Sequence, residues 1–175
     1  MLAPPALAQS ASRNELSLGA TTFSYLSYNR PTPGFMTVEA AFHRRLAGEG
    51  PWSALRLGGG LRTGMPAGSN FPLEGFVQVQ LAARIGLWEA VVGPELGMSG
   101  FSKLDANATQ PTKELRDVED SRFGPAYVAF NLAPVRLHFG RVVVSALELQ
   151  VGTNAKVIGS TIRTQLGLLR LGMEL

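Results

Sequence analysis

From residue 14 to the last residue, apolar and polar side chains alternate with a period of two, segment after segment, and the segments are long. Met36, Val38, Ala40 and Phe42 share one face, and Thr37, Glu39, Ala41 and His43 share the other. Leu55, Leu57, Gly59 and Leu61 oppose Arg56, Gly58, Gly60 and Arg62. Leu73, Val77, Val79, Leu81, Ala83 and Ile85 oppose Glu74, Phe76, Gln78, Gln80, Ala82 and Arg84. Trp88, Ala90, Val92, Leu96 and Met98 oppose Glu89, Val91, Gly93, Glu95, Gly97 and Ser99. Ala126, Val128, Phe130 and Leu132 oppose Tyr127, Ala129 and Asn131. Leu16, Leu18 and Ala20 open the pattern, and Leu169, Leu171, Met173 and Leu175 close it. Successive side chains of a strand point to opposite faces, so each segment is a strand with one apolar and one polar face. Strands of about ten to thirteen residues exceed the ~5–6 of globular sheets and match the ~9–11 of a tilted membrane-crossing strand.

Composition sharpens this reading. Hydrophobic residues make up 45% of the chain and charged residues only 17%, against ~25% charged in soluble domains. No run approaches the ~20 apolar residues of a membrane-crossing helix, so the apolar residues must be spread along strand faces. The 175 residues suit one domain. Cysteine is absent, which excludes thiolate metal sites and disulfides. The net charge of +3 is small and scattered, so there is no nucleic-acid footprint. Ala6-Leu7-Ala8 before Gln9 has the small-x-small form of a signal-peptidase site. Residues 1–12 therefore read as a residual signal peptide or flexible terminus, and 13–175 as the folded domain.

The connections alternate in length. Short ones are expected near Ala47–Pro51, Gly86-Leu87 and Ala133-Pro134, and longer ones at Asn29–Gly34, Thr63–Asn70, Ser102–Arg122 and Gly152–Ser160. Tight turns at one end and long loops at the other are the habit of outer-membrane barrels. A two-residue hairpin at Gly86-Leu87 sets Ile85 opposite Trp88, Arg84 opposite Glu89, Leu81 opposite Val92 and Gln78 opposite Glu95. Polar then meets polar and apolar meets apolar, with Arg84 and Glu89 as a cross-strand ion pair. Mirroring the third and fourth strands puts Arg62 opposite Glu74, and a turn at Ala133-Pro134 puts Tyr127 over Gly140. Phe23, Tyr25, Tyr28, Phe35, Phe71, Phe101 and Phe123 flank the long loops, and Trp52 and Trp88 follow short turns, as in two interfacial girdles. Pro94, which lacks an N–H, predicts a bulge in the fifth strand. Strict alternation would point Arg141 and Arg163 at lipid, so bulges near Gly140 and Leu168 are expected to turn them inward. Otherwise that face meets another protein.

The strand count, loop alternation and terminal pattern resemble the small transmembrane barrels of the OmpA/OmpX type, over roughly Asn14 to Leu175. The resemblance implies an all-β, eight-stranded, antiparallel up-and-down barrel in a bacterial outer membrane. Eight strands leave an interior just wide enough for side chains. The inward list is nearly balanced: Glu39, Glu74, Glu89, Glu95 and Glu148 against Arg56, Arg62, Arg84 and Arg136. Gly58, Gly60, Gly93 and Gly97 are expected to leave room for the arginines. Buried charges persist only when paired, so a plug of salt bridges is expected.

Chemistry-bearing constellations are sparse. His43 and His138 are the only histidines. Ser145 is seven residues from His138, roughly 23 Å along a strand, and His43 lies far from Asp120-Ser121. Neither makes a catalytic triad, and no cofactor or metal motif is present. The 102–122 stretch is a candidate partner-binding loop without calcium-loop spacing, and the face near Arg141 and Arg163 is a second candidate. The expected role is structural or interactive, as an integral protein or a subunit of an envelope assembly, with outer-membrane lipid as its surroundings and no enzymatic activity. The alternatives are a narrow channel for ions or small solutes, and a lipid-modifying enzyme. The fold-level rival is a soluble lipocalin-like barrel, whose apolar residues would face inward.

Overall fold

A computed structural model of the protein describes residues 14–27, 30–31, 35–47, 54–64, 73–99, 126–159 and 161–175. The segment 1–12, the connections around Trp52 and Phe71, and the 102–122 stretch lie outside the described residues. So do the side chains of the aromatic residues expected to flank the long loops.

The described chain is all β: β1 (Asn14–Ser27), β2 (Arg30–Pro31), β3 (Phe35–Ala47), β4 (Ala54–Gly64), β5 (Leu73–Ile85), β6 (Trp88–Ser99), β7 (Ala126–Phe139), β8 (Val142–Ala146), β9 (Glu148–Asn154) and β10 (Thr161–Glu174). β2 only prolongs the β1 hairpin, pairing with Leu26 and Ser27. β8 and β9 are halves of one stave broken at Leu147, so the wall has eight antiparallel staves. β1 pairs with both β3 and β10, which closes the barrel and leaves it without a free edge.

The registers fix its dimensions. Starting at Glu15, paired residues run His43, Gly58, Gln78, Glu95, Ala129, Gly152 and Arg163, then return to β1 at Tyr25. The circuit climbs ten residues, a shear that tilts the strands about 40° and leaves an interior that side chains can fill.

Two-residue turns close two of the hairpins at the short-connection end, and each uses a glycine at positive φ: Gly86 at 62° and Gly140 at 65°. The Gly86-Leu87 turn pairs Ile85 with Trp88, Leu81 with Val92 and Gln78 with Glu95, and Arg62 faces Glu74, all as the alternation predicts. The expected turn at Ala133-Pro134 is corrected: β7 runs through it to Phe139, and the chain reverses at Gly140-Arg141. Glycine supplies the left-handed turn residue that Ala133-Pro134 cannot. Arg141 is accordingly an exposed turn residue rather than part of a lipid-facing or lumen row, and no bulge forms there. Tyr127 consequently covers Gly97 on β6, not Gly140. The bulge expected at Pro94 is absent too: the β5–β6 register is the same on both sides of Gly93-Pro94, and Pro94 pairs with Phe130. There a Cβ on Gly93 would lie 1.9 Å from the Val79 carbonyl oxygen, so glycine admits the neighbouring backbone.

Besides a register shift at Arg45/Ala47 between β3 and β4, the wall has a row of bulges across three adjacent staves. Inward residues are normally two apart, but here Ala133 and Arg136, Ser145 and Glu148, and Gly167 and Arg170 are three apart. Between them, Val135, Ala146, Leu147, Leu168 and Leu169 all face out. Val135 pairs with Ala146, and the pairs Ser145–Arg170 and Glu148–Gly167 flank the row on its other side. The three staves stay in step with one another and slip by one against their unbulged neighbours, at Glu89/Val91 and at Ala20/Thr21. The expected bulge near Leu168 is one member of this row. It turns Arg163 inward, where only 2% of its surface is exposed. Leu147 takes a φ of 64° to make the break. The indole N–H of Trp88 donates to the Pro134 carbonyl at 3.0 Å, satisfying an acceptor at the row's edge.

Candidate functional site: the charged lumen

Because every inward position follows from alternation, the polar face of each strand empties into one narrow interior. The ionic side chains gather in two layers. Near the short-turn end, Arg56 on β4 donates to Glu15 on β1 at 3.1 Å and to Glu89 on β6 at 2.6 Å. Arg136 on β7 reaches across to Glu15 and lies 3.1 Å from Glu89. His138 stands between two carboxylates, with Nε2 3.0 Å from Glu89 and Nδ1 3.3 Å from Glu174. Arg84 guards the mouth 3.6 Å from Glu174, its side chain about a quarter exposed. The expected Arg84–Glu89 ion pair is thus corrected. The two residues are register partners, but Glu89 turns inward to Arg56, Arg136 and His138.

Toward the long-connection end, Arg62 is the hub. Its Nε donates to Glu39, Nη1 to Glu74 at 2.7 Å and to Glu95 at 2.6 Å, and Nη2 to Glu95 at 2.8 Å. Its guanidinium also lies 3.9 Å from the Phe76 ring centroid. Arg163 donates to both oxygens of Glu74, at 2.8 and 3.0 Å, and stacks 3.5 Å from the Tyr127 ring centroid. The Tyr127 hydroxyl lies 2.8 Å from Glu74 and 2.6 Å from Glu95. Asn131 and Gln150 donate to Glu95 at 3.0 and 2.9 Å. Arg170 bridges Glu39 and Glu148, the latter at 2.8 Å.

Of the nine lumen charges read from sequence, Glu39, Arg56, Arg62, Glu74, Glu89, Glu95 and Arg136 are buried in these layers. Glu148 is half-buried and paired, and Arg84 sits at the rim. The reading missed Glu15, Arg170 and Glu174, although each occupies an inward position by simple alternation with Leu16 or with Leu171 and Met173. Arg163, His138, Tyr127, Gln150 and His43 complete the network or line the space beside it. The glycines also act differently from expectation. A Cβ at Gly58 would strike the His43 ring, at Gly60 the Phe76 ring and at Gly97 the Tyr127 ring. They make room for rings, not for arginines, because a tilted strand brings a neighbour's aromatic side chain directly over the bare backbone.

As a chemical site the lumen binds charge to charge. Ionised pairs withdrawn from water are tolerated when hydrogen-bonded to several partners. Here Glu39, Glu74 and Glu95 each accept from at least two side chains, while the half-buried Glu148 pairs with Arg170. Among the described residues, neither histidine contacts a hydroxyl nucleophile. Ser145 instead donates to the Val135 carbonyl at 3.4 Å.

No protein-family profile matches the sequence, and no curated protein is significantly similar to it. Solved structures are similar in fold. Neisserial surface protein A aligns at 8% identity over 93% of this chain and 97% of its own, with a TM-score of 0.56. Ail, the attachment invasion locus protein of Yersinia pestis, solved with the heparin analogue sucrose octasulfate, aligns at 7% identity over 93% of this chain and 99% of its own, with a TM-score of 0.52. The chain therefore has the closed eight-stranded fold of small bacterial outer-membrane barrels.

Proposed function

We propose that this protein is an integral barrel of the bacterial outer membrane, with a structural or interaction role and a lumen closed to solutes. The observation that carries the reading is inverted polarity. Leu18, Val38, Leu57, Val77, Leu96, Phe130, Val151 and Leu171, one from each stave, are all exposed on the outer wall, while Glu39, Glu74, Glu89 and Glu95 are almost wholly buried. A soluble lipocalin-like barrel requires the opposite arrangement. Such a wall is stable only against hydrocarbon, where a closed sheet also satisfies its own backbone.

The two ionic layers support closure. Arg62 reaches carboxylates from three other positions in the wall, and Arg56 with Arg136 spans it below. Opening a path for a hydrated ion would require breaking several buried pairs together. With the lumen occupied and Arg163 turned inward, the candidate partner surface that remains from the sequence is the 102–122 stretch. Among the described residues no constellation supports an enzymatic role, and a channel would need a wider interior.

The test is reconstitution of the full chain into phospholipid vesicles and planar bilayers. The expected outcome is detergent-dependent solubility, an unboiled gel band that migrates differently from the boiled one, and no unitary conductance. A monomer that stays soluble without detergent would overturn the membrane assignment, and steady conductance steps would overturn closure.

A further inference from the structure

Between the two ionic layers lies a chamber of about 40 Å³ that neither layer accounts for. Val91, Ala133 and Gly167 give it its space, and polar groups crowd its walls. His43, only 3% exposed, lines it with neither ring nitrogen hydrogen-bonded to the protein. The side-chain oxygens of Gln80, Gln150 and Gln165, also in the lining, are acceptors without a donor. Nε of Arg136 and of Arg170 are donors without an acceptor. Buried polar groups are satisfied in folded proteins by protein or by ordered water, so six unsatisfied side chains around one small space point to a ligand.

The chemistry of those groups selects it. An anion would serve only the donors and a cation only the acceptors. A neutral imidazole presents one of each, and the glutamines and arginines supply the remainder of both kinds. Formal charge gives no reason for an ion either, since Glu15, Glu39 and Glu148 balance Arg62, Arg136 and Arg170 in the lining. We propose that the chamber is a buried hydration site centred on His43, holding a cluster of about two or three ordered waters. Water donates and accepts at once and so bridges the groups that the arginine–carboxylate pairs leave over. Arg62 of one ionic layer and Arg136 of the other both line it.

The experiment is water-to-protein NOE spectroscopy on the isotope-labelled full chain in micelles. Its readout is independent of which membrane the barrel occupies and of whether it conducts. The expected result is long-residence water cross-peaks at the side-chain amides of Gln80 and Gln165. They are lost in A133V, which adds two methyl groups to the chamber while keeping every polar group. Should A133V fail to fold, H43F serves as the filling variant, with H43Q, which keeps hydrogen-bonding capacity, retaining the cross-peaks. Absence of the cross-peaks in the native chain, their persistence in the filled variant, or an anomalous bromide peak in the chamber of crystals grown in bromide would each overturn the proposal.

Discussion

Replacing Arg62 with methionine keeps most of the side-chain volume and removes the charge at the centre of the upper layer. Three carboxylates lose a partner, but not equally. Glu39 keeps Arg170, and Glu74 keeps Arg163. Glu95 has no other cation in contact among the described residues, and retains only the neutral donors Tyr127, Asn131 and Gln150. One buried anion is therefore stranded rather than three. The expected loss is about 3–5 kcal/mol, the range for breaking a buried pair from one side. Adding E95Q removes the stranded charge, so R62M/E95Q is expected to recover at least about 2 kcal/mol relative to R62M, a coupling that a double-mutant cycle isolates. R84M supplies the contrast: its pair with Glu174 is longer, at 3.6 Å, and its side chain is about a quarter exposed, so the loss should be about 0–1 kcal/mol. Reversible urea unfolding in lipid vesicles, followed by tryptophan fluorescence, measures R62M, E95Q, the double variant and R84M against the native chain. An R62M loss below about 1 kcal/mol, or a double variant no more stable than R62M, would refute the hub argument.

Three further substitutions, two of them with a control, probe the wall and the packing beneath it. V79R places a cation on the outer face and should cost about 2–4 kcal/mol in a bilayer; unchanged stability in vesicles would mean that Val79 does not meet hydrocarbon. L147V forces a β-branched side chain into a φ of 64° and is expected to lose about 1–2 kcal/mol, whereas L149V two residues on should change little, and equal effects would contradict the strained break between β8 and β9. G97A puts a methyl 2.4 Å from the Tyr127 ring and should destabilise by about 1–3 kcal/mol through overpacking. G86A, in open space at a φ of 62°, should cost about 1 kcal/mol from backbone strain alone, and a larger effect there than at Gly97 would reverse the assignment.

Which residues face in and which face out was legible in the sequence wherever strands were regular. Glu74, Gln78 and Glu95 declare their side by alternating with Leu73, Val77 and Leu96, and the Gly86-Leu87 turn carries its register with it. That information is local, since a two-residue period and a glycine turn are properties of a few neighbouring positions. The Pro94 and Ala133-Pro134 expectations failed because proline marks a missing N–H without saying whether a turn, a bulge or a plain strand absorbs it.

Who meets whom across the lumen was decided only by closure. The ten-residue shear sets Glu95 of β6 against Arg62 of β4, and brings Arg136 of β7 to Glu15 of β1, 121 positions apart in the chain. The row of bulges reverses the parity of three staves together, and so sends Arg163, Arg136 and His138 to the same side. A single strand gains nothing from such a step, which leaves no periodic trace that is unambiguous by itself. It is stabilised only when its neighbours make the same step and the charges it turns inward find partners on distant staves.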